Sequence, residues 1–376
     1  MALPRYPSAT PSNLETQHMT FRFNTSRSRR LAAAGASIAI AALALTACAG
    51  GSGDAATSEA PMGEEGFGDI TLQLSWIFNE EFAGEYLADT NGYYEDAGMS
   101  VKLVPGPSGG IPELLGGTAD IALSDSVQVG AAVANEGAPL KIIGATFQAN
   151  PFTILSLKDG GDIAEPDDLK GKKIGVQDSN MTLFTALLAA NDIDASELTI
   201  VPVQYDPAPL VNGEVDGFVA YLTNEAISVE MEGLPTTNLP FADNGLPFVA
   251  ETVTVTDDTI ANNREMLKAF LVAEIKGWSD AIADPQAGAD LAIKQYGTDL
   301  DLDPAKTLAG AEAQNKLIVS AETEKNGLFT ISEDLQKLTI DSLAGAGIKL
   351  DAADLFDLSL LAEVYEENPD LIAYAG

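Results

Sequence analysis

From Ile70 onward, short apolar runs alternate with stretches of helical spacing, and this alternation narrows the fold more than any other feature of the chain. Strands are expected at Ile70–Trp76, Val101–Val104, Ile121–Leu123 and Leu140–Phe147. Helices are expected between them at Glu81–Ala97, Ile111–Gly116 and Val127–Asn135, with Gly98 ending the first. A second series starts near Pro151, with strands at Phe152–Leu157, Lys173–Val176, Leu198–Val203 and Gly217–Tyr221 and an amphipathic helix at Met181–Asn191. One more strand is expected near Phe248–Val255. The rest has helical spacing at Asn263–Ala283, Ala287–Tyr296, Pro304–Val319, Ser332–Ala346 and Leu355–Tyr365. The pattern predicts an α/β chain whose sheets are covered by helices. The second series reads as an insertion into the first. The expected units are 69–150 with 247–376, and 151–246, joined by two crossings.

The segment ahead of this body has a different character. Arg29-Arg30, the apolar run Leu31–Ala47 and the small residues before Cys48 form the pattern of an export signal. The ending Leu45-Thr46-Ala47-Cys48 is similar to a bacterial lipobox, which makes Cys48, the only cysteine, a lipid attachment point. The competing reading is an uncleaved membrane helix, for which the run is short and rich in Ala. Residues 1–48 are thus expected to be a signal peptide, with Met19 as the expected start. Residues 49–68, small, polar and acidic, read as a flexible linker. Two or more acyl chains would hold the protein stably at the outer face of the cell membrane.

Composition then removes whole classes of chemistry. His18 is the only histidine and precedes the expected cleavage point, so Ser-His, Cys-His and histidine-metal sites are excluded from the mature chain. Five of the 20 basic residues and one of the 56 acidic residues precede Cys48, leaving 15 against 55 and a formal charge of −40. Such a field repels nucleic acid and anionic lipid, and it tilts the expected ligand toward neutral or cationic. Solvation of the surface in a salty habitat is the alternative cause of the same charge. No arginine occurs between Arg30 and Arg264, so bidentate clamping of an anion is poorly served.

Several segments together resemble one superfamily. Leu74-Ser75-Trp76, Glu81-Phe82-Ala83-Gly84 and Gly92-Tyr93-Tyr94-Glu95-Asp96-Ala97-Gly98-Met99 carry its opening. Lys172-Lys173-Ile174-Gly175-Val176, Val215-Asp216-Gly217-Phe218, Asn224-Glu225 and Phe329 through Gly347 continue it. The pattern resembles the solute-binding proteins for thiamine precursors, riboflavin and alkanesulfonates. The resemblance implies a two-lobed periplasmic-binding-protein-like fold of type II, with two sheet-bearing lobes joined by a two-strand hinge. It also implies a small-molecule ligand, an ABC permease with its ATPase as partners, a monomer, and no cofactor.

Candidate ligand contacts lie at expected strand ends, where open α/β sheets gather ligands. Trp76 can stack on a flat ring or pack in the core. The resemblance places the turn from Trp76 to Phe82 against the ligand, which brings in Asn79, Glu80 and Phe82. Phe82 stands where some thiamine-precursor relatives carry histidine. Glu81 reads chiefly as a helix-dipole residue. Ser108 and Gly109 offer backbone N–H groups or form a plain tight turn. Ser124 and Asp125 supply a hydroxyl and a carboxylate, unless Asp125 is an N-cap. Gln177, Asn180, Tyr205, Tyr221, Asn224 and Glu225 come from the second unit. Trp278, inside a long helix, reads as core or hinge packing.

The resulting expectation is a lipid-anchored receptor, not an enzyme, for a small heteroaromatic nutrient. A thiamine-precursor aminopyrimidine comes first, riboflavin second, and a sulfonate or other small organic solute third. The same superfamily contains pyrimidine synthases, which consume an active-site histidine and use a cysteine-rich motif. Neither is present after Cys48. A surface sensor or adhesin without a transporter is the remaining class.

Overall fold

A computed structural model describes residues 66–106 and 109–374. Cys48, the export pattern, most of the linker and Ser108 lie outside the described residues. Among the described residues no helix is long and apolar enough to cross a membrane.

Among the described residues, ten strands run in chain order as β1 (Gly68–Gln73), β2 (Met99–Val104), β3 (Ile121–Asp125), β4 (Leu140–Phe147), β5 (Phe152–Leu157), β6 (Lys173–Gln177), β7 (Thr199–Val203), β8 (Gly217–Tyr221), β9 (Thr236–Pro240) and β10 (Ala250–Thr256). They form two five-stranded sheets, ordered β2-β1-β3-β10-β4 and β7-β6-β8-β5-β9. The two are built alike. In the first, β1 pairs in parallel with β2 and β3, and β10 lies antiparallel to β3 and β4. In the second, β6 pairs in parallel with β7 and β8, and β5 lies antiparallel to β8 and β9. The α/β class read from the sequence is therefore borne out.

The chain passes between the sheets twice, from β4 to β5 and from β9 to β10. Hydrogen bonds hold the two passages side by side. Asn150 Nδ2 donates to the Leu246 carbonyl at 2.8 Å, and the Phe241 amide donates to the Phe152 carbonyl at 2.9 Å.

Both antiparallel inner strands are buried on two faces, which explains their apolar composition. Phe152, Ile154, Leu155, Val253 and Val255 are all at most 4% exposed. Strand β9 escaped the sequence reading because Thr236-Thr237-Asn238-Leu239-Pro240 is mostly polar and ends in proline. Such a composition is tolerated at a sheet edge, where β9 lies.

The helix expected at Glu81–Ala97 is broken. A short 3-10 turn at Glu80–Phe82 leads into Ala83–Thr90, and Gly92, at φ 78°, separates this from Tyr93–Asp96. The 20-residue helix Arg264–Ala283 crosses Ala83–Thr90 closely. A Cβ on Gly277 would lie 2.2 Å from the Gly84 carbonyl oxygen, and one on Gly84 would lie 2.3 Å from the Trp278 ring. Both positions therefore require glycine for contact.

Candidate functional site

Four parallel strands end at one gap. The carboxyl ends of β1 and β3 face it from the first sheet, and those of β6 and β8 face it from the second. The starts of the antiparallel strands β5 and β10 contribute Phe152 and Glu251. Together they enclose an inner chamber with about 480 Å³ of space not filled by atoms, its mouth included.

Trp76 and Tyr221 line this chamber with Ser124, Asp125, Gln177, Asn180, Asn224 and Glu225, all singled out from sequence. Ser75, Glu81, Gln128, Phe152, Ser179, Val219, Ala220 and Glu251 complete the wall. No lysine or arginine is among the lining residues. Tyr221 is held edge-on to Phe152, with ring centroids 4.5 Å apart and planes at 90°.

Other sequence candidates fall elsewhere. Asn79, Glu80 and Tyr205 line a second, outer cavity, which shares Trp76, Asn224 and Glu225 with the inner one. Phe82 is fully buried in the core beside Tyr86 and lines neither cavity. An apolar ring there packs under the turn instead of reaching solute space. Gly109, at φ +65°, approaches Gln128 so closely that a Cβ would stand 2.4 Å from its Oε1. Its role is to let the loop pass. Trp278, 1% exposed, is a core residue.

Asp125 resolves into a cap that also faces the chamber. Its Oδ1 accepts from the backbone N–H groups of Val127 at 2.8 Å and Gln128 at 2.9 Å, capping the helix Ser126–Ala131. Its Oδ2 accepts from Gln128 Nε2 at 2.6 Å. Burial raises its pKa against these three hydrogen bonds.

The residue sequence reasoning missed is Glu251. Against β3 the register slips between Ala250 and Thr252, so Glu251 is the extra residue of a β-bulge, at φ 48°. A bulge in that left-handed conformation is strained for a non-glycine residue and re-aims its side chain. Here it turns a carboxylate into the chamber. Ser75 Oγ donates to Glu251 Oε2 at 2.9 Å and the Tyr221 hydroxyl donates to Oε1 at 3.0 Å. One donor comes from each sheet. The only sequence signal was an acid in the otherwise apolar and threonine-rich run Ala250–Thr256.

Glu81 and Glu251 both line the chamber and are electrostatic neighbours. Burial, then the Glu251 charge, push the Glu81 pKa well above the carboxylate range. Burial also raises Glu251, but hydrogen bonds from Glu81, Ser75 and Tyr221 hold it down. The burial of Glu81 departs from its helix-dipole reading. Burial lifts Glu225 to about 7 and Glu80 to about 8. Ser124 Oγ, on a residue 2% exposed, has no hydrogen-bond partner in the protein. No group of three or more His, Cys, Asp or Glu side chains is arranged to hold a metal ion among the described residues.

Residues 79–288 match the model of the family described as NMT1/THI5-like. The riboflavin-binding protein RibY of Chloroflexus aurantiacus is 25% identical over 242 residues, covering 62% of this chain and 68% of its own length. The 4-amino-5-hydroxymethyl-2-methylpyrimidine phosphate synthase of Schizosaccharomyces pombe is 27% identical over 231 residues, covering 57% of this chain and 66% of its own. Among solved structures, the periplasmic nitrate-binding protein NrtA of Synechocystis superposes with a TM-score of 0.59 at 14% identity. That match covers 82% of this chain and 91% of NrtA. It bears out the periplasmic-binding-protein-like fold expected from the sequence.

Proposed function

The chain belongs to the NMT1/THI5-like family, and from that premise we propose that it is the solute receptor of an ABC importer, which binds a small heteroaromatic molecule in the inner chamber and passes it on unchanged. The observation that carries this reading is the chamber itself: Trp76 and Tyr221 with buried carboxyl groups and no basic residue, at strand ends contributed by both sheets. Aromatic walls accept a flat ring, and acidic walls accept its N–H groups. The preferred solute is an aminopyrimidine of the thiamine-precursor kind, with riboflavin second. A sulfonate is disfavoured because no cation lines the chamber to meet it.

Two passages of chain between the sheets form the hinge, and closure on the solute excludes water. The export pattern and Cys48 give a lipid anchor at the outer membrane face. Such a tether raises the receptor's concentration near a permease in the same membrane.

Several relatives are synthases, which makes enzymatic use of the chamber the second reading. The only histidine is His18 and the only cysteine is Cys48. General acid–base chemistry would then fall to carboxyl groups and tyrosine.

A thermal-shift screen tests the proposal, because a ligand at a hundredfold its Kd stabilises the folded state by about 2.7 kcal/mol. Aminopyrimidines are expected to raise the melting temperature, with riboflavin raising it less and sulfonates leaving it unchanged. Turnover of a bound pyrimidine would move the assignment to the synthases. A shift with sulfonates alone would overturn the choice of solute.

A further inference from the structure

We propose that the helix Pro304–Ile318 is a clasp that holds the two sheets closed over the chamber, with Gly310 as its point of contact and Lys306 as its latch. What closure is for rests on the solute-binding reading above; the clasp itself rests on geometry.

The helix is fixed to the first sheet's side. Gln314 Nε2 donates to the Glu80 carbonyl at 2.8 Å, on the turn that follows β1. The Gln148 amide, just past β4, donates to the Leu317 carbonyl at 2.8 Å. Thr307, Gly310, Ala311, Gln314 and Ile318 form the buried face of the helix. That face also reaches the second sheet's side, where the chain leaves β8 through Thr223 for the helix Glu225–Met231, and the two helices pack together.

Gly310 sets how close they come. A Cβ there would stand 2.9 Å from the Thr223 carbonyl oxygen and 2.3 Å from Glu80 Oε1. Glu80 lines the outer cavity and can turn its carboxyl into that space. Thr223 presents backbone, so only separation of the two sides relieves its contact. Glycine inside a helix is unfavourable relative to alanine. The helix thus gives up intrinsic stability at a position that faces the other side.

One turn earlier, Lys306 Nζ donates to Glu232 Oε1 at 2.6 Å. Glu232 caps the carboxyl end of the helix Glu225–Met231, so the ion pair crosses the same seam. A pair this exposed shifts an equilibrium by about fivefold at most. Close approach at Gly310 therefore carries closure, and the pair fixes its register. Lys306 also lines the outer cavity, opposite Asn224 and Ser228 of the facing segment. Opening the clasp opens that cavity, and the chamber that shares Trp76, Asn224 and Glu225 with it.

Carbodiimide crosslinking of the purified full chain reads the clasp without any solute. The reagent activates a carboxylate, the adjacent amine displaces it as an amide, and the oxygen leaves as a urea. Peptide mass spectrometry then measures the Lys306–Glu232 product. Lys268–Glu367, also 2.6 Å apart, joins the helices Arg264–Ala283 and Ser359–Glu367 within the first sheet's side and is the internal standard. Gly310→Ala is expected to lower the Lys306–Glu232 yield at least about threefold against that standard, as overpacking of a close contact does. Its melting temperature should not fall, because alanine strengthens the helix. Adding Glu80→Ala to Gly310→Ala clears the side-chain contact and leaves the backbone one, so the yield should stay low; this double variant carries the test if Gly310→Ala does not fold. Absence of the product in the original chain, an equal yield in Gly310→Ala, or recovery in the double variant would overturn the proposal. Calorimetry with 4-amino-2-methylpyrimidine and with riboflavin supplies the second arm. Whichever binds the original chain should bind Gly310→Ala at least about threefold more weakly. Equal affinity would mean that capture does not use the clasp, and the proposal falls. If the crosslink behaves as expected and neither probe binds the original chain, the clasp stands and the solute reading falls.

Discussion

Two buried carboxyl pairs lie one helical turn apart along the same stretch of chain, and they have opposite surroundings. Glu81 neighbours Glu251 at the edge of the inner chamber. Glu85, four residues on, faces Glu274 in the core, where the Tyr94 hydroxyl donates to Glu274 and Trp278 Nε1 donates to Glu85 at 3.3 Å. Glu85 and Glu274 are at most 1% exposed, and burial lifts Glu274 to about 8. In each pair burial and the neighbouring acid raise the carboxyl pKa, because two buried like charges at close range cannot both ionise cheaply. What differs is access. Glu81 and Glu251, the outer pair, line the inner chamber. The inner pair is sealed by aromatic rings and acts as a polar fastening between the helices Ala83–Thr90 and Arg264–Ala283. Chemistry alone does not make a carboxyl pair a site; its exposure to a cavity does.

The sharpest way to break this comparison is to open the inner pair. Trp278→Ala removes a fully buried ring and the donor to Glu85, and is expected to cost about 3–5 kcal/mol in urea unfolding. Solute affinity of the folded fraction should remain within about threefold of the original. A large affinity loss in the folded protein would mean that the two pairs are coupled.

At the outer pair the balance is reversed. Trp76 is half-buried and lines both cavities. Stacking of a base on an aromatic is worth about 1–3 kcal/mol, so Trp76→Ala should weaken aminopyrimidine binding roughly five- to hundredfold with a small change in melting temperature. Unchanged calorimetric affinity would make Trp76 a packing residue.

Proton linkage gives a third test. Glu80 and Glu274 are raised to about 8 and Glu225 to about 7, in each case chiefly by burial. Between their ordinary range near 4.5 and these values, the folded chain holds protons that the unfolded chain has released. Stability is therefore highest at the acid side of that window and falls as pH rises toward 8, by up to about 1.4 kcal/mol per pH unit for each such group. Glu274→Gln keeps an acceptor for Tyr94 but removes the titration, so the drop in melting temperature from pH 5 to pH 8 should shrink. An unaltered slope would show that Glu274 is not a source of it.

The smallest expected effect is Tyr221→Phe. It removes the hydrogen bond from the second sheet to Glu251 and should lower stability by about 0.5–1.5 kcal/mol. Small-angle scattering of the ligand-free protein should show a more open form; an unchanged profile would deny this bond a part in holding the sheets together.

The regular part of the fold was legible. Leu140–Phe147, Phe152–Leu157 and Gly217–Tyr221 were read from sequence with the bounds they have in the structure, because runs of buried apolar residues at strand length leave few alternatives. Trp76, Ser124, Gln177, Tyr221 and Asn224 were legible as strand-end residues, and all of them line the chamber. Glu251 was not, since a bulge is a mismatch between two strands far apart in sequence and leaves no local mark. The burial of Glu81 was not legible either: an acid at a helix start normally faces solvent, and here helices remote in sequence, Pro285–Leu291 and Pro304–Ile318, pack on its turn. Phe82 followed the resemblance to a ligand-facing turn, yet the turn rotates its ring inward.

Local pattern by itself settled that this chain alternates strands with helices, that its expected mature part lacks histidine, and that aromatic and acidic residues gather at strand ends, since each of these depends on spacing or composition alone. Only the tertiary structure decided which acids are buried beside one another and which of those pairs borders a cavity. Burial and pairing depend on elements brought together across more than 150 residues of chain, and no local window of the sequence contains both partners.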